Sequence, residues 1–301
     1  MVATIGMDLG GTRIKAVLMD SGGRILEKAY TSTNDDKNAG WKSAVSNSVN
    51  GLLKNKNYES VVIGIAAPGL PDDTQTLIAY MPGRMQGLEH FAWKDYLRHP
   101  AYVLNDAVAA LIAESKLGVA KDKNNVVMLT LGTGVGGAIL LDGKPYMGAF
   151  NKAGHIGHMV INDEGECDIT GMPGSLEDCI GECTIKKRSK NKFTSTLELL
   201  EALRSGDNYA KEIWLTSVKK LAIGLASLTN ILSPELIVLG GGITEANEDL
   251  FDLLNEYMNR YEWRTGGNKA TIVKAKLGDL AGAIGAACFA IEKYHSNTIN
   301  T

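Results

Sequence analysis

The chain has 301 residues, 45% of them hydrophobic and 22% charged. These are the proportions of a soluble globular protein with a sizeable core, so wholesale disorder is excluded and two domains are expected. The 31 Lys and Arg against 34 Asp and Glu leave a formal net charge of -3, which offers no general field to nucleic acid or an anionic membrane; neither is expected as a partner, and any anionic ligand must be held locally.

Residues 3–33 read as three short strands (ATIGMDL, RIKAVLMD, RILEKAYTS) with turns at Gly10-Gly11 and Ser21-Gly22-Gly23, an antiparallel meander. Residues 1–11 are strand-like rather than a signal peptide, and no apolar run reaches the roughly 20 residues that cross a bilayer. Cys167, Cys179, Cys183 and Cys288 are too scattered for a disulfide framework. A cytoplasmic protein with reduced thiols is expected.

Trp41, Val45, Val49, Leu52 and Leu53 recur at helical spacing, and VVIGIAAPG over 61–69 is a continuous apolar run suited to a buried strand. The strand AYVL leads into Asn105-Asp106 and the helical pattern AVAALIAESKL. Asp106 sits where it could cap that helix or face a ligand.

A second meander spans 126–148: NVVMLTL, a glycine loop, GGAILLD, a turn at Asp142-Gly143-Lys144, and the short segment KPYMGAF. Trp214, Val218, Leu221, Leu225, Leu228 and Leu232 form one helical stripe over 209–232, ended before Pro234. The strand ELIVLGGG follows, then a helix beginning near Thr244. Residues 279–294 read as a small-residue helix with Asp279 as a possible N-cap, expected to return to the first lobe. Two βββ units, each followed by helix and strand, amount to an internal duplication of pattern, with a cleft expected between the two lobes. The boundaries expected are 1–110 plus 281–301 for a small N-terminal lobe and 111–280 for a large C-terminal lobe, with short crossings that favour hinge closure.

The 34 glycines exceed the average frequency of about 7%, and they cluster. Asp8 precedes Gly10, Gly11 and Thr12 between two strands, where bare backbone N–H groups can approach an anion, Thr12 adds a hydroxyl, and Asp8 could orient hydrated Mg²⁺. Gly132, Thr133 and Gly134 open a string that matches G-x-G-x-x-G, but a strand follows it, and a dinucleotide fingerprint must open a helix. Gly241 and Gly242, after the strand ELIVL, are a third place where backbone could face a ligand such as a base and ribose. There is no P-loop signature. Two strand-turn-strand glycine loops point to the actin-like way of cradling ATP.

Asp106 is the general-base candidate, since a hydroxyl attacking a γ-phosphate must lose its proton. His155 and His158, two of five histidines, lie between glycines; with no thiolate pair at standard spacing, sugar hydroxyls suit them better than a metal. Glu177 follows as a first-turn acid or a second hydroxyl acceptor.

The strings DLGGTRIK, GIAAPG, NDAVAA, LGTGVGGAI, AGHIGH, GMPGSLE and IVLGGGI, in this order over nearly the whole chain, resemble the ROK family (repressors, open reading frames and sugar kinases). The resemblance implies an α/β, actin-like (ribonuclease H-like) two-lobed ATPase and sugar kinase fold. It implies ATP and Mg²⁺ as cofactors, a hexose or N-acetylhexosamine as substrate, and a homodimer. It makes Asp106 the base, Gly69, Asn105, His155, His158 and Glu177 the sugar-binding set, and Asp8, Gly10, Gly11, Thr12, Gly132, Thr133, Gly134, Gly241 and Gly242 the nucleotide set. His155 stands where many members carry a glutamate, and GHIGH is similar to bacterial N-acetylmannosamine kinases.

Two departures stand out. The three cysteines that bind zinc with the GH histidine in the family are Asp168, Thr170 and Ser175 here, so no structural zinc is expected; Cys179 and Cys183, at i and i+4, are expected on one helix as small, partly buried residues. The NLPGW-like segment before the base reads YMPGR at 80–84. Repressors of the family add an N-terminal DNA-binding domain, which is not expected here because the reading opens on the first strand; a degenerate sugar sensor is the alternative to a kinase.

Overall fold

The computed structural model describes every residue except 1, 36, 37, 82, 84, 300 and 301; two residues of the YMPGR segment lie outside that set. Its contacts divide the chain into two compact units. The first comprises Met1–Asp122, Met147–Ala153 and Lys276–Thr301, the second Lys123–Tyr146 and Gly154–Ala275. The chain therefore leaves the first unit at 122 rather than 110 and re-enters it at 276 rather than 281. Helix 106–117 stays with the first unit because it packs on the C-terminal helix, and the chain also returns to the first unit over Met147–Ala153.

In the first unit, β1 (Val2–Leu9), β2 (Arg13–Met19) and β3 (Ile25–Ser32) form the expected meander. Helix α1 (Trp41–Leu53) leads into β4 (Ser60–Ala67), which pairs in parallel with β1. A small ribbon of β5 (Leu70–Pro71) and β6 (Ile78–Tyr80) and the short helix α2 (Trp93–Leu97) precede β7 (Ala101–Asn105). The sheet order is β3-β2-β1-β4-β7. One face is filled by Ile5, Met7, Ile14, Ile63 and Ile65 against Trp41 and Trp93, both fully buried.

The opposite face is covered by the C-terminal helix, Ala281–Ile299. A Cβ on Gly6 would stand 1.9 Å from the carbonyl oxygen of Ala283, and one on Gly64 would stand 1.9 Å from that of Ala286. Backbone thus packs on backbone, which is why this helix is built from alanine and glycine. Asp279 does not cap it: the residue lies in a 3-10 turn, Gly278–Leu280, that runs straight into the helix.

Helix α3 (Asp106–Leu117) packs on the same C-terminal helix, where a Cβ on Gly285 would meet the carbonyl oxygen of Ala109 at 1.7 Å. Near its end sits Glu114, wholly buried. One carboxylate oxygen accepts the N–H of Val119 at 2.8 Å; the other accepts those of Lys276 and Leu277, each at 2.8 Å. A buried charge held by three backbone donors is well satisfied. It fastens the segment leading out of the unit to the segment leading back in.

The second unit repeats the plan. Strands β8 (Val126–Leu131) and β9 (Val135–Leu141) are antiparallel, and β10 is only Lys144–Pro145, shorter than the KPYMGAF segment suggested. The short helices α4 (Leu176–Ile180) and α5 (Ile185–Arg188) follow, then α6 (Thr196–Arg204) and the long α7 (Asn208–Leu232). Strand β11 (Leu236–Gly240), helix α8 (Glu248–Tyr261) and β12 (Thr271–Lys274) complete it. The order β10-β9-β8-β11-β12 has the same pattern of directions as the first sheet. Helix α7 starts on an Asp207 cap and ends at Ser233 in the left-handed region, before Pro234. It buries Trp214, Val218, Leu221, Leu225 and Leu228 as its period requires, with Leu232 at the edge of the core.

Because a methyl at residue 64 has nowhere to go, Gly64→Ala is expected to lower the unfolding free energy by roughly 1 to 3 kcal/mol, read from urea melts. A variant as stable as the parent would show that the helix and sheet can part at that point without loss.

Candidate active site

In the first unit, the tight turn between β1 and β2 carries Gly10, Gly11 and Thr12. Thr33, fully buried, backs it by donating its hydroxyl to the Gly10 carbonyl at 2.5 Å and its N–H to the Thr12 carbonyl at 3.0 Å. Thr12 is exposed. Asp8 lies near the end of β1, 3.7 Å from the Lys15 ammonium, and a Cβ on Gly282 would stand 2.8 Å from its carboxyl carbon. Burial, then the charge of Asp106, push its pKa up to about 6; Lys15 works the other way and Asp279 adds to the rise.

Asn105 resolves the capping question. With extended backbone, it accepts the N–H groups of Ala107 at 3.0 Å and Val108 at 3.4 Å through its side-chain oxygen, so it is the N-cap of α3. Its amide nitrogen donates to the Gly69 carbonyl at 3.3 Å. Gly69 has φ +100°, and a Cβ there would stand 2.6 Å from the Tyr80 carbonyl oxygen, so only glycine fits. Asp106 is then the first residue of the helix, exposed, its carboxylate accepting the N–H of Ala107 at 2.8 Å. The first unit thus assembles Asp8, the Gly10–Thr12 turn, Gly69, Asn105 and Asp106 along the ends of β1, β4 and β7.

In the second unit, the loop of Gly132, Thr133 and Gly134 is fixed from outside. The N–H of Glu182 binds the Gly132 carbonyl at 3.0 Å, and that of Cys183 binds the Thr133 carbonyl at 2.8 Å. The carboxylate of Glu177 accepts the N–H of Val135 at 2.9 Å, and a Cβ on Gly134 would collide with it at 2.3 Å. Glu177 is in the first turn of α4, capped by Ser175. It is therefore more than a favourable helix acid: it joins the glycine loop to the helix. Gly241, with φ +90°, lies against the Leu131 carbonyl, while a Cβ on Gly132 or Gly242 would meet no atom within 4 Å, leaving space for a ligand.

His158 ends a 3-10 turn, Ile156–His158, with the His155 ring stacked at 6.5 Å between centroids. Its Nδ1 lies 3.0 Å from the Asp168 carboxylate, a side chain with no exposed surface. Burial works against that charge, but hydrogen bonds from Thr170, His158 and Ser175 outweigh it and hold the carboxyl well below the usual range. Sequence reasoning treated Asp168 only as a missing cysteine; the Asp-x-Thr turn signature would have revealed it. Cys179 and Cys183 do not share a helix: α4 stops at Ile180, and Cys183 is exposed in the next 3-10 turn, Glu182–Thr184.

The four positions that correspond to zinc ligands in the family do not suit that metal. One imidazole nitrogen is spent on Asp168, the carboxylate is already saturated with donors, and two neutral hydroxyls replace thiolates. Among the described residues no group of three or more His, Cys, Asp and Glu side chains is disposed to hold a metal ion, and no helix is long and apolar enough to cross a membrane.

Comparison with known proteins places the chain in a family and a fold. A glucokinase from Streptomyces coelicolor is 30% identical over 319 aligned residues, covering 97% of this chain and 98% of its own. A ROK family glucokinase from Streptomyces griseus, solved with glucose and AMPPNP, is 28% identical and superposes with a TM-score of 0.80 over 96% of this chain and 99% of its own. The ROK hexokinase from Thermus thermophilus, 29% identical, does so at 0.84 over 98% and 99%. The fold is accordingly the actin-like, ribonuclease H-like one. With the ROK family pattern matching residues 4–293, the chain belongs to the ROK family.

Proposed function

We propose that this chain is an ATP-dependent sugar kinase that transfers the γ-phosphoryl group to a hydroxyl of a hexose or N-acetylhexosamine, with Asp106 as general base. The observation that carries the reading is the setting of Asp106: an exposed carboxylate on the first residue of a helix whose preceding residue, Asn105, is buried and tied at both ends of its amide. A base so held keeps one direction relative to its own backbone, as proton removal during in-line attack requires. His155, His158 and Glu177 bind sugar hydroxyls, and Glu177 fixes the glycine loop at the same time.

The backbone N–H groups of Gly10–Thr12 and of Thr133 and Gly134 hold phosphate oxygens and stabilise charge that develops on them, while the Gly132 N–H closes its own loop on the Gly134 carbonyl at 2.9 Å. Gly242, where a Cβ would meet no atom within 4 Å, leaves room for base and ribose, and Gly241 makes the tight turn against the Leu131 backbone that presents it. Asp8 suits Mg²⁺: its charge is unfavourable beside Asp106 and favourable beside a cation. When bound with ATP, the ion would neutralise charge on the transferring phosphoryl group, with Asp8 holding it through water. The glucokinase relatives favour glucose among the candidate hexoses.

A coupled ADP-release assay with Mg-ATP across glucose, mannose, fructose, allose, N-acetylglucosamine and N-acetylmannosamine is expected to show turnover with at least one sugar. Asp106→Asn is expected to reduce kcat by about a thousandfold while leaving sugar binding, measured by calorimetry, within about twofold. Binding without turnover in the parent protein overturns the kinase reading in favour of a sensor.

Asp8 also predicts a pH dependence. Its folded pKa of about 6 exceeds the ordinary 3.8, so the folded chain holds this proton more tightly than the unfolded one. The contribution to stability is full below pH 3.8 and is lost as pH rises through 6. Asp8→Asn is therefore expected to raise the thermal midpoint at pH 7.5 by more than at pH 4.5 while lowering ATP turnover. An equal shift at both pH values would falsify the assignment.

A further inference from the structure

Three side chains of the second unit, His158, Thr170 and Ser175, gather around one buried carboxylate, that of Asp168. One oxygen of Asp168 accepts the Thr170 N–H at 2.8 Å, the Thr170 hydroxyl at 2.7 Å and the Met172 N–H at 3.1 Å. Its other oxygen lies 3.0 Å from His158 Nδ1. Ser175, itself wholly buried, stabilises the carboxylate and also accepts the N–H of Asp178 at 3.3 Å as the cap of α4.

An ionised carboxylate can only accept, so the nitrogen facing it must carry a proton. In a neutral imidazole that leaves Nε2 with a lone pair, on a ring whose side chain keeps 30% of its surface exposed. The same centre thus touches the ring of His158 and the cap of the helix that presents Glu177. A hydrogen-bond cluster of this kind closes the loop between them without a metal.

We propose that Asp168 is the positioning residue of the sugar site: it locks His158 as the Nδ1–H tautomer, presents Nε2 as an acceptor for a sugar hydroxyl, and sets the loop that places Glu177. The proposal deepens the kinase reading and rests on it for the identity of the ligand. Sugars are then recognised through hydroxyls that donate to Nε2, so a deoxy sugar lacking the contacting hydroxyl leaves an unpaired acceptor and is rejected.

Asp168→Asn tests this sharply. The amide oxygen can keep the Thr170 and Met172 donors, but the amide nitrogen now faces His158 as a donor and reverses its tautomer. The KM for sugar is expected to rise about tenfold or more, with the KM for ATP changed less than twofold and the thermal midpoint nearly preserved. Long-range ¹H–¹⁵N spectra should show His158 protonated on Nδ1 in the parent and on Nε2 in the variant. Protein purified from zinc-supplemented medium should carry far less than one zinc per chain, and phenanthroline added with excess Mg²⁺ should leave its turnover unchanged.

An Nε2–H tautomer in the parent, stoichiometric zinc, or a variant unchanged in both tautomer and sugar KM each overturns the proposal. If the parent phosphorylates no sugar, the kinase reading fails by itself, and the tautomer and zinc content still decide the role of Asp168. Asp168→Ala, which removes the acceptor altogether, is expected to lose the thermal stability that Asp168→Asn keeps.

Discussion

The first unit depends on the approach of the C-terminal helix to β1 and β4 at backbone distance. At Gly6, Gly64 and Gly285 there is no room for even one added carbon. Interiors are packed as densely as organic crystals, so a missing side chain here is filled by a neighbouring backbone rather than left as a void. Much else in the unit follows from that contact. It fixes the helix against the strands that end at Asp8, and it fixes α3, whose first residue is Asp106, against the same helix. The acid beside the glycine turn and the acid at the helix start are thereby held close enough for each to feel the other's charge.

Polar groups carry the fine positioning within each unit. Asn105 uses both ends of its amide, Glu177 ties the glycine loop to α4, Glu114 ties two chain segments together, and Asp168 gathers a loop. Each is a side chain paired largely with backbone N–H groups, and such partners are already fixed by secondary structure. A buried acceptor deprived of these donors would be left with its full desolvation penalty, so each of these links holds a single geometry.

The meanders, the buried strands and the long amphipathic helix were legible because their hydrophobic periods are strong and local. The small-residue helix was legible as a close packer, since alanine and glycine in a helix have little other use. Its start was not: the Asp279 reading assumed an ordinary cap, whereas the 3-10 turn at 278–280 feeds directly into the helix. The place of Cys183 was missed because Gly181 ends α4, and a spacing of four residues carries no warning of a break between them. Glu114 was invisible because two of its three partners lie 162 and 163 residues away; nothing local distinguishes a glutamate that clamps distant backbone from one that faces water. Asp106 was legible as an acid at a helix start, but the sharing of duties in which Asn105 caps and Asp106 does not depends on backbone angles one residue apart.

The order of these segments along the chain has a consequence for biosynthesis. The strands bearing Gly6 and Gly64 are made long before the helix that covers them, which begins at residue 281. At about 5 to 20 residues per second, that sheet face waits roughly ten to forty seconds for its own cover. A stripe of glycine and small side chains exposed on nascent strands is poorer bait for aggregation than a row of leucines would be. The residues that permit such tight packing in the finished protein therefore also make its unfinished form less adhesive.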